Sequence, residues 1–383
     1  PEAQAAGALY VSAENALFGN TFGGAQIVEV VVLRNDTTNE SVGEPVIKVY
    51  EKQLRMAQGV DGNWYGYFGS GTEVAAADTA GNNLNFGTDA NPTVRLGDFN
   101  EAANVYHTAA IGTVGNAPEL SKWNNSAGHL GVANGDLGQI GLVTESQWPF
   151  IQLYDFTIGN FDVVYEQAGA DEVVSLDYNS GDLDDFAGIE LDRSSAPQGA
   201  QVHLTITDNQ LNIDPTAKDV VIFYVGSGDE GVSFTDGTTY TTAISKIYDN
   251  YFDSNGKLII NNNTLSAGSV VLTNDATLDD VTADNYMVFF EGAENSGVFF
   301  NTDDDSDSNL EISASAKRGT SATIDYNGDA QSLPVANSFG TIDMDESSVG
   351  DEWNSGEALT VTLIDGDMNL NTASNEDLLV NNA

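Results

Sequence analysis

The sequence contains no cysteine, and only 12 of its 383 residues are lysine or arginine. Without cysteine the chain forms no disulfide, carries no thiolate nucleophile and offers no cysteine ligand for zinc. Against those 12 cations stand 58 aspartates and glutamates, so the formal net charge is -46. Such a chain repels phosphate backbones and anionic lipid surfaces. The composition therefore excludes nucleic acid and anionic membrane surfaces as partners.

Long apolar runs and recognisable catalytic motifs are also missing. No run approaches the ~20 residues of a membrane-spanning helix, and no basic-then-apolar signal peptide opens the chain. The start at Pro1 is typical of a processed, mature end. Histidine occurs only at His107, His129 and His203, and no G-x-S-x-G, H-E-x-x-H or phosphate-loop pattern is present. We therefore predict no catalytic residues, no enzymatic activity and no organic cofactor.

What the chain does contain is a series of short, strand-like segments. Apolar residues make up 41% of the sequence, which is enough for packed cores. Alternating or β-branched runs recur at strand length, bounded by Gly, Asn, Asp or Pro. They cover residues 25–33, 45–50, 173–176, 201–207, 220–225, 286–290 and 359–363. A Gly-Val-Asp-Gly turn at residues 59–62 predicts a hairpin. The pattern predicts an all-β fold.

An internal repeat organises these strands. Residues 7–49, 188–223 and 340–380 share one order: short strand, small-residue loop, glycine, alternating strand, Asp/Asn-rich segment and apolar strand. Gly-Ala-Gln precedes the alternating strand at residues 24–26 and 199–201. Tyr178 and Tyr326 lie in matching upstream flanks, where we expect core residues.

The repeat spacing predicts tandem immunoglobulin-like β-sandwich domains. Copies two and three lie 157 positions apart, measured from Asp208 to Asp365. We assign domain 1 to residues 1–178 with a long insertion at about 82–148, domain 2 to 179–327, and a truncated domain 3 to 328–383. Half a sandwich would expose its apolar face, so we expect the sequence to be a fragment of a longer chain.

The Asp/Asn-rich segments have the spacing of oxygen ligands in an EF-hand calcium loop, at relative positions 1, 3, 5, 7 and 12. Those residues are Asp365, Asp367, Asn369, Asn371 and Glu376 in copy three, and Asp208, Gln210, Asn212, Asp214 and Asp219 in copy two. Position 6 is Leu370 or Ile213 rather than glycine, and no flanking helices are predicted, which argues against a true EF-hand. Two interpretations stay open: a loop that binds Ca²⁺ or Mg²⁺, or an Asx-rich turn with solvated side chains.

A third acidic cluster and four glycosylation motifs complete the candidate sites. Asp303, Asp305 and Asp307 form either a solvated loop or a weak Ca²⁺ or Mg²⁺ site. N-x-S/T sequences occur at Asn35, Asn39, Asn124 and Asn262. The aromatic residues 63–68 suit a core strand with a bulge better than a carbohydrate platform. His203, within a predicted strand, is expected to be packed or exposed rather than catalytic.

Taken together, these motifs resemble the surface-layer (S-layer) proteins of ammonia-oxidising marine archaea. The resemblance is carried by the Gly-Ala-Gln strand, the D-x-D-x-N segment, the Q-x-x-D-G-x-W-Y-x-Y-F stretch at 58–68 and residues 291–300. It implies a secreted, glycosylated, homo-oligomeric protein whose hexameric assemblies tile into a porous lattice on the cell surface. It also implies that the acidic lattice attracts cations, ammonium included.

Two other functions remain open at this point. The first is an extracellular adhesin or carbohydrate-binding stalk, which would bind glycans through the insertion. The second is a secreted hydrolase with immunoglobulin-like appendages, which would need a compact catalytic domain.

Overall fold

The fold is nearly all-β, with about 45% of residues in strands and 10% in helices, which confirms the predicted class. A computed structural model of the chain describes residues 8–33, 45–50, 52–58, 61–77, 96–100, 105–107, 151–154, 156, 159–225, 231–235, 257–260, 272–274, 286–303, 305–308, 310–348, 350 and 352–376. Within these residues no helix has both the length and the apolar character needed to cross a bilayer. The strands form three groups, here called the first unit (8–178), the second unit (180–335) and the third unit (341–376).

The first unit is built from two sheets. Its strands are β1 (Leu9–Val11), β2 (Thr21–Phe22), β3 (Val28–Val32), β4 (Val46–Val49), β5 (Lys52–Leu54), β6 (Ala57–Gln58), β7 (Trp64–Ser70), β8 (Leu96–Asn100), β9 (Val105–His107), β10 (Ile151–Tyr154), β11 (Asn160–Glu166) and β12 (Glu172–Tyr178). Helix α1 (Gly71–Ala77) follows β7. One sheet has the order β1-β3-β7-β10-β8-β9 with β6 added to β7, and the other has the order β2-β12-β11-β4-β5.

The core of the first unit lies between these sheets and is centred on Phe22. Its ring packs edge-on against Phe68, Phe156 and Phe161 at centroid distances of 5.5–6.1 Å. Tyr178, at the edge of the core, packs on the same ring at 5.1 Å. Edge-to-face aromatic pairs of this kind add to the free energy of apolar burial. The unit therefore has the layered arrangement of a β-sandwich, while its immunoglobulin-like topology stays a prediction.

The aromatic residues 63–68 enter β7, which is a core strand as predicted. The predicted bulge is wrong, because β7 pairs with β3 without interruption from Trp64 opposite Val32 to Phe68 opposite Val28. Trp64 and Phe68 are buried, so the stretch is not a platform for sugars. The hairpin predicted around residues 59–62 is confirmed by the antiparallel pairing of β6 with β7.

The insertion predicted at 82–148 contributes β8 and β9, which pair antiparallel with each other. β10 follows it and runs parallel to both β7 and β8. These described residues of the insertion therefore extend the first sheet at one edge.

The second unit begins with helix α2 (Ser180–Leu183) and a 3₁₀ helix (Asp184–Phe186). Its strands are β13 (Gly188–Leu191), β14 (Leu204–Thr207), β15 (Val220–Tyr224), β16 (Gly231–Thr235), β17 (Leu258–Ile260), β18 (Leu272–Asn274), β19 (Tyr286–Glu291), β20 (Val298–Phe300), β21 (Leu310–Ile312), β22 (Ser321–Tyr326) and β23 (Asp329–Pro334). They form sheets in the orders β13-β14-β20-β19-β15-β16, β17-β22-β23 and β18-β21.

One apolar cluster fills the second unit and runs from Ile189 to Val335. Tyr326 is fully buried in it, as expected for a core residue, and packs edge-on against Phe223 at 5.7 Å. β23 pairs along its length with β22, so these residues, which the sequence boundaries assigned to domain 3, belong to the second unit.

The third unit is a two-stranded antiparallel ribbon of β24 (Thr341–Met344) and β25 (Val361–Ile364). Every side chain of the two strands is exposed in the described residues. A 3₁₀ helix (Gly366–Met368) follows β25. The residues directly after it, 369–371, contact the second unit.

Candidate functional site at the junctions between units

The two segments predicted as cation loops share one backbone conformation. In residues 208–219, here the first docking segment, the side chain of Asp208 caps a 3₁₀ helix by accepting a hydrogen bond from the Gln210 amide at 2.8 Å. In residues 365–376, the second docking segment, Asp365 accepts from the Asp367 amide at 3.0 Å. The capping residues have φ/ψ of -159°/107° and -145°/106°. The repeat seen in the sequence is therefore a repeat in structure.

The acidic residue at position 12 closes each segment. Asp219 Oδ2 accepts hydrogen bonds from the main-chain amides of Ile213 at 2.7 Å and Asp214 at 3.0 Å. Glu376 Oε1 accepts from the Asn371 amide at 2.6 Å. A calcium loop would aim this carboxylate at the metal ion, whereas here it satisfies main-chain donors.

Each docking segment bonds to the preceding unit through its main chain. The amide of Ile27 in the first unit donates to the carbonyl of Ile213 at 3.1 Å. The amide of Gln201 in the second unit donates to the carbonyl of Leu370 at 2.8 Å. Ile213 and Leu370 both occupy position 6 of their segments. Their donors lie at the Gly-Ala-Gln match but one position apart, because Ile27 directly follows the first copy and Gln201 is the last residue of the second. The same docking arrangement is therefore used twice along the chain.

Side chains of the preceding unit also donate hydrogen bonds to the segment, at the carbonyl one residue before Ile213 or Leu370. Gln26 Nε2 donates to the Asn212 carbonyl at 2.9 Å in the first junction. Arg193 Nη1 donates to the Asn369 carbonyl at 3.1 Å in the second. Each junction thus satisfies two consecutive segment carbonyls with donors from the neighbouring unit.

The second junction continues through Asn371. Its Oδ1 lies 2.9 Å from His203 Nε2, and its Nδ2 donates to the Ser306 carbonyl at 2.8 Å and to Asp307 Oδ1 at 3.1 Å. His203 Nδ1 in turn lies 2.7 Å from Thr302 Oγ1. His203 is therefore a packed junction residue, in agreement with the sequence expectation.

An aromatic contact dominates the first junction. Phe18 ends a 3₁₀ helix of the first unit (Ala16–Phe18), is fully buried and meets Phe186 edge-on at 6.1 Å. Gly297 of the second unit has φ +63°, and a Cβ there would lie 2.8 Å from Phe18 Cζ. Only glycine permits both this left-handed backbone and this close approach.

The predicted cation ligands of the first docking segment are buried. Asp208, Gln210, Asn212, Asp214 and Asp219 are each at most 7% exposed, so the solvated-turn alternative is wrong for this segment. In the second segment Asn371 is buried, whereas Asp365 and Asp367 are half-buried and Asn369 and Glu376 are exposed. The first segment is the more deeply enclosed of the two.

The buried carboxyl groups of the second unit accept hydrogen bonds from different donors, and the charges of neighbouring carboxyl groups raise the pKa of Asp219. Asp208 Oδ2 accepts from the Tyr326 hydroxyl at 2.5 Å. Burial, followed by the charges of Asp214 and Glu291, raises the pKa of Asp219 well above its ordinary value. Burial also raises the pKa of Glu291, although main-chain donors, beginning with Gly297, oppose the shift. Burial shifts the pKa in this direction because it disfavours the charged form of a carboxyl group.

Two amide oxygens of the first segment support the predicted cation site. Gln210 Oε1 and Asn212 Oδ1 are buried and have no hydrogen-bond partner. Buried polar atoms are normally satisfied, and amide oxygens are ligands that Ca²⁺ accepts. Among the described residues, no three His, Asp or Glu side chains are placed to hold a metal ion together. Cation binding therefore stays a prediction, and it rests on these two oxygens.

No protein-family model matches the chain, and no curated protein is significantly similar to it. The resemblance to S-layer proteins is therefore carried by the sequence motifs alone.

The acidic cluster at 303–308 forms a tight turn. Asp303 Oδ1 accepts from the amides of Asp305 at 3.0 Å and Asp307 at 2.7 Å. Asp305 is exposed, while Asp307 Oδ1 accepts from Gln201 Nε2 at 2.8 Å. The turn thus presents Asp307 to the second junction, and its binding of Ca²⁺ or Mg²⁺ stays a prediction.

Several predicted residues lie outside the described part of the chain. They are the glycosylation candidates Asn35, Asn39, Asn124 and Asn262, together with His129. For His107, in β9, only the backbone is described.

Sequence reasoning missed the residues on which the segments dock, among them Phe18, Gln26, Arg193 and Asp192. Asp192 Oδ2 accepts a hydrogen bond from the Thr372 hydroxyl at 2.5 Å. One signal in the sequence was available, because the Gly-Ala-Gln match lies where the docking segment binds in both units. The sequence does not show that a polar segment about 170 to 190 residues further along the chain binds there.

Proposed function

We propose that this chain is a structural component of a cell-surface S-layer, a porous two-dimensional lattice of identical copies outside the cell. In this role the chain is a mechanical support with an acidic surface, and it catalyses no reaction. The proposal includes extracellular localisation and hexameric assembly with other copies.

The observation that carries the proposal is the repeated junction. Two docking segments of one conformation fasten successive units through the same pair of carbonyls, with Ile27 and Gln201 as the main-chain donors. A contact that is repeated between successive units is typical of repeat proteins, in which each unit contacts its neighbours and the units together form an extended structure. A hydrogen-bonded junction limits the relative motion of units far more than a flexible linker does. These features favour a scaffold.

The proposal also includes attraction of cations to the acidic surface of the lattice, and the negative charge of the chain supports this part. The net charge of -46 gives the surface a negative potential, and a potential of one kT enriches a monovalent cation ~3-fold. Salt screens exposed charges over about 10 Å or less at physiological ionic strength and above. Enrichment of ammonium and divalent metals is therefore expected chiefly inside narrow acidic pores.

Electron microscopy of the purified full-length protein tests the proposal. We expect ordered sheets when Ca²⁺ or Mg²⁺ is added, because divalent cations neutralise the repulsion between acidic surfaces. Phe18→Ala, which loosens the first junction, should reduce the order of the sheets, whereas Leu17→Ala, at the exposed neighbour, should not. Protein that stays monomeric at every cation concentration would contradict the proposal. Selective binding on a glycan array, without sheets, would favour the adhesin or stalk.

A further inference from the structure

All three units share one backbone contact, which lies beside the place where a docking segment binds in the first two. In each unit, the amide of the residue directly after the first strand of a pair donates to a carbonyl near the start of the second strand. The three hydrogen bonds, of 2.9, 3.1 and 2.9 Å, run from Ser12 to Glu29, from Asp192 to His203 and from Asp345 to Thr360. Thr360 in the third unit is therefore the structural counterpart of Glu29 and His203.

A left-handed glycine precedes this contact in every unit. The three glycines, with φ of +57°, +76° and +95°, are Gly24, Gly199 and Gly356. We call residues 24–29 and 199–203 the first and second docking edges, because a docking segment binds to each, and residues 356–360 the third docking edge. The third edge begins with Gly-Glu-Ala where the other two begin with Gly-Ala-Gln. Its similarity to them therefore lies in the backbone rather than in the side chains.

No docking segment binds to the third docking edge within the described residues. The main-chain donors of the two junctions, Ile27 and Gln201, lie two residues before the carbonyl of the shared contact. Ala358 has the same place in the third edge, and no described residue accepts a hydrogen bond from its amide. Ala358 and Thr360 are exposed, whereas Ile27 is 3% exposed. The third edge therefore presents an exposed donor where the first two edges are bonded.

An exposed aromatic residue lies next to this donor. Trp353 Nε1 donates to the Glu357 carbonyl at 2.9 Å, which holds the indole beside the third edge, and Trp353 is 61% exposed. In the first unit the loop between the paired strands carries Phe18, which meets Phe186 and Gly297 of the second unit. Trp353 lies in the corresponding loop of the third unit. Aromatic side chains at the centre of a contact surface supply much of its stability.

We propose that the third docking edge binds a docking segment that belongs to a further unit on the same polypeptide. The carbonyl at position 6 of that segment accepts a hydrogen bond from the Ala358 amide, and Trp353 packs against the unit that carries the segment. The partner has a defined chemistry, because both described segments are Asp-capped 3₁₀ helices that present two consecutive carbonyls to an edge.

The two described junctions favour a partner on the same polypeptide over a second copy of the chain. In each of them the docking segment belongs to the unit that follows the docking edge along the sequence. The bond at position 6 joins main-chain groups, so Ile27, Gln201 and Ala358 can all donate it although their side chains differ. A covered amide without an acceptor is costly, so the partner of the third edge has to offer a carbonyl at this point.

Hydrogen exchange of the full-length protein tests the proposal. The protein is kept monomeric with EDTA, so that a second copy does not reach the edge. The amides of Ile27, Gln201 and Ala358 each report on one docking edge. We expect protection at Ala358 to lie within about tenfold of that at Gln201, because both amides exchange only when a docking segment leaves. Trp353→Ala should lower protection at Ala358 by about tenfold and leave Ile27 and Gln201 unchanged.

Phe339→Ala is the matched control and should leave protection at Ala358 unchanged, because Phe339 is 97% exposed and lies outside the loop between β24 and β25. The proposal is overturned if Ala358 exchanges at its intrinsic rate while Ile27 and Gln201 are protected. Protection of Ala358 only in sheets formed with Ca²⁺ would also overturn it, since the edge would then bind a second copy. Electron microscopy scores the sheets separately, so failure of the lattice and failure of the third junction are distinguished.

Discussion

Replacing Phe18 with alanine should uncouple the first two units while leaving each of them folded. Phe18 is fully buried, yet it belongs to neither apolar core and contacts Phe186 and Gly297 at the junction. Truncation of a buried phenylalanine costs about 3–5 kcal/mol. Phe186 is 39% exposed and can move into part of the space, so we expect about 3 kcal/mol. That value corresponds to about a hundredfold weaker docking.

Hydrogen exchange and urea unfolding measure this change together. Exchange at the Ile27 amide, which bonds to the Ile213 carbonyl, should accelerate in Phe18→Ala, because docking protects it. Amides in the centre of β14 should keep their protection, because their partners lie within the second unit. Leu17→Ala is the matched control, since Leu17 is the adjacent residue and is 54% exposed.

Two results would refute this reasoning. Equal protection of Ile27 in the two variants would show that the aromatic contact does not hold the junction. An equal loss of protection at Ile27 and in β14 would show that Phe18 supports the second unit as a whole, and that the units unfold as one.

Three further predictions concern the second unit and the docking segments. Tyr326→Phe should lower the free energy of unfolding by about 1.5–3 kcal/mol in urea titrations, because the buried Asp208 carboxylate loses a donor; an unchanged midpoint would count against this bond. Gly297→Ala should destabilise the chain by about 1–3 kcal/mol in the same assay, since it adds backbone strain and an overlap with Phe18. Calcium at about 100 times its Kd should stabilise the chain by about 2.7 kcal/mol, and chelation should reverse the rise in Tm. If Asp208→Ala and Asp365→Ala both leave that rise unchanged, the cation binds elsewhere.

The fold class and the repeat were predictable because both depend on local patterns. Alternating runs such as residues 201–207 and 220–225 lead into β14 and β15, since one face of each strand must be apolar to reach a core. The bulge predicted at residues 63–68 failed for a tertiary reason. Gly66 relieves a close approach, since a Cβ there would lie 2.5 Å from Met56 Sδ, and the strand stays regular.

The role of the Asp/Asn-rich segments was not predictable from their spacing. Carboxylates and amides at positions 1, 3, 5, 7 and 12 can surround a cation, cap a turn or bind main-chain donors, because all three uses need the same oxygens. Asp208 and Asp219 meet a tyrosine hydroxyl and main-chain amides in the folded chain. Which of these uses applies depends on the groups that surround the segment in the folded chain, and some of those groups are far away in the sequence.

The amino-acid sequence alone predicts that the chain folds into β-units, that the units repeat, and that the surface is acidic. These properties follow from period-2 hydrophobicity, from self-similarity and from a count of charges. Which polar groups meet depends on how the units dock in three dimensions. Docking sets Gln26 against Asn212 in one junction and His203 against Asn371 in the other, because it brings together residues more than 160 positions apart.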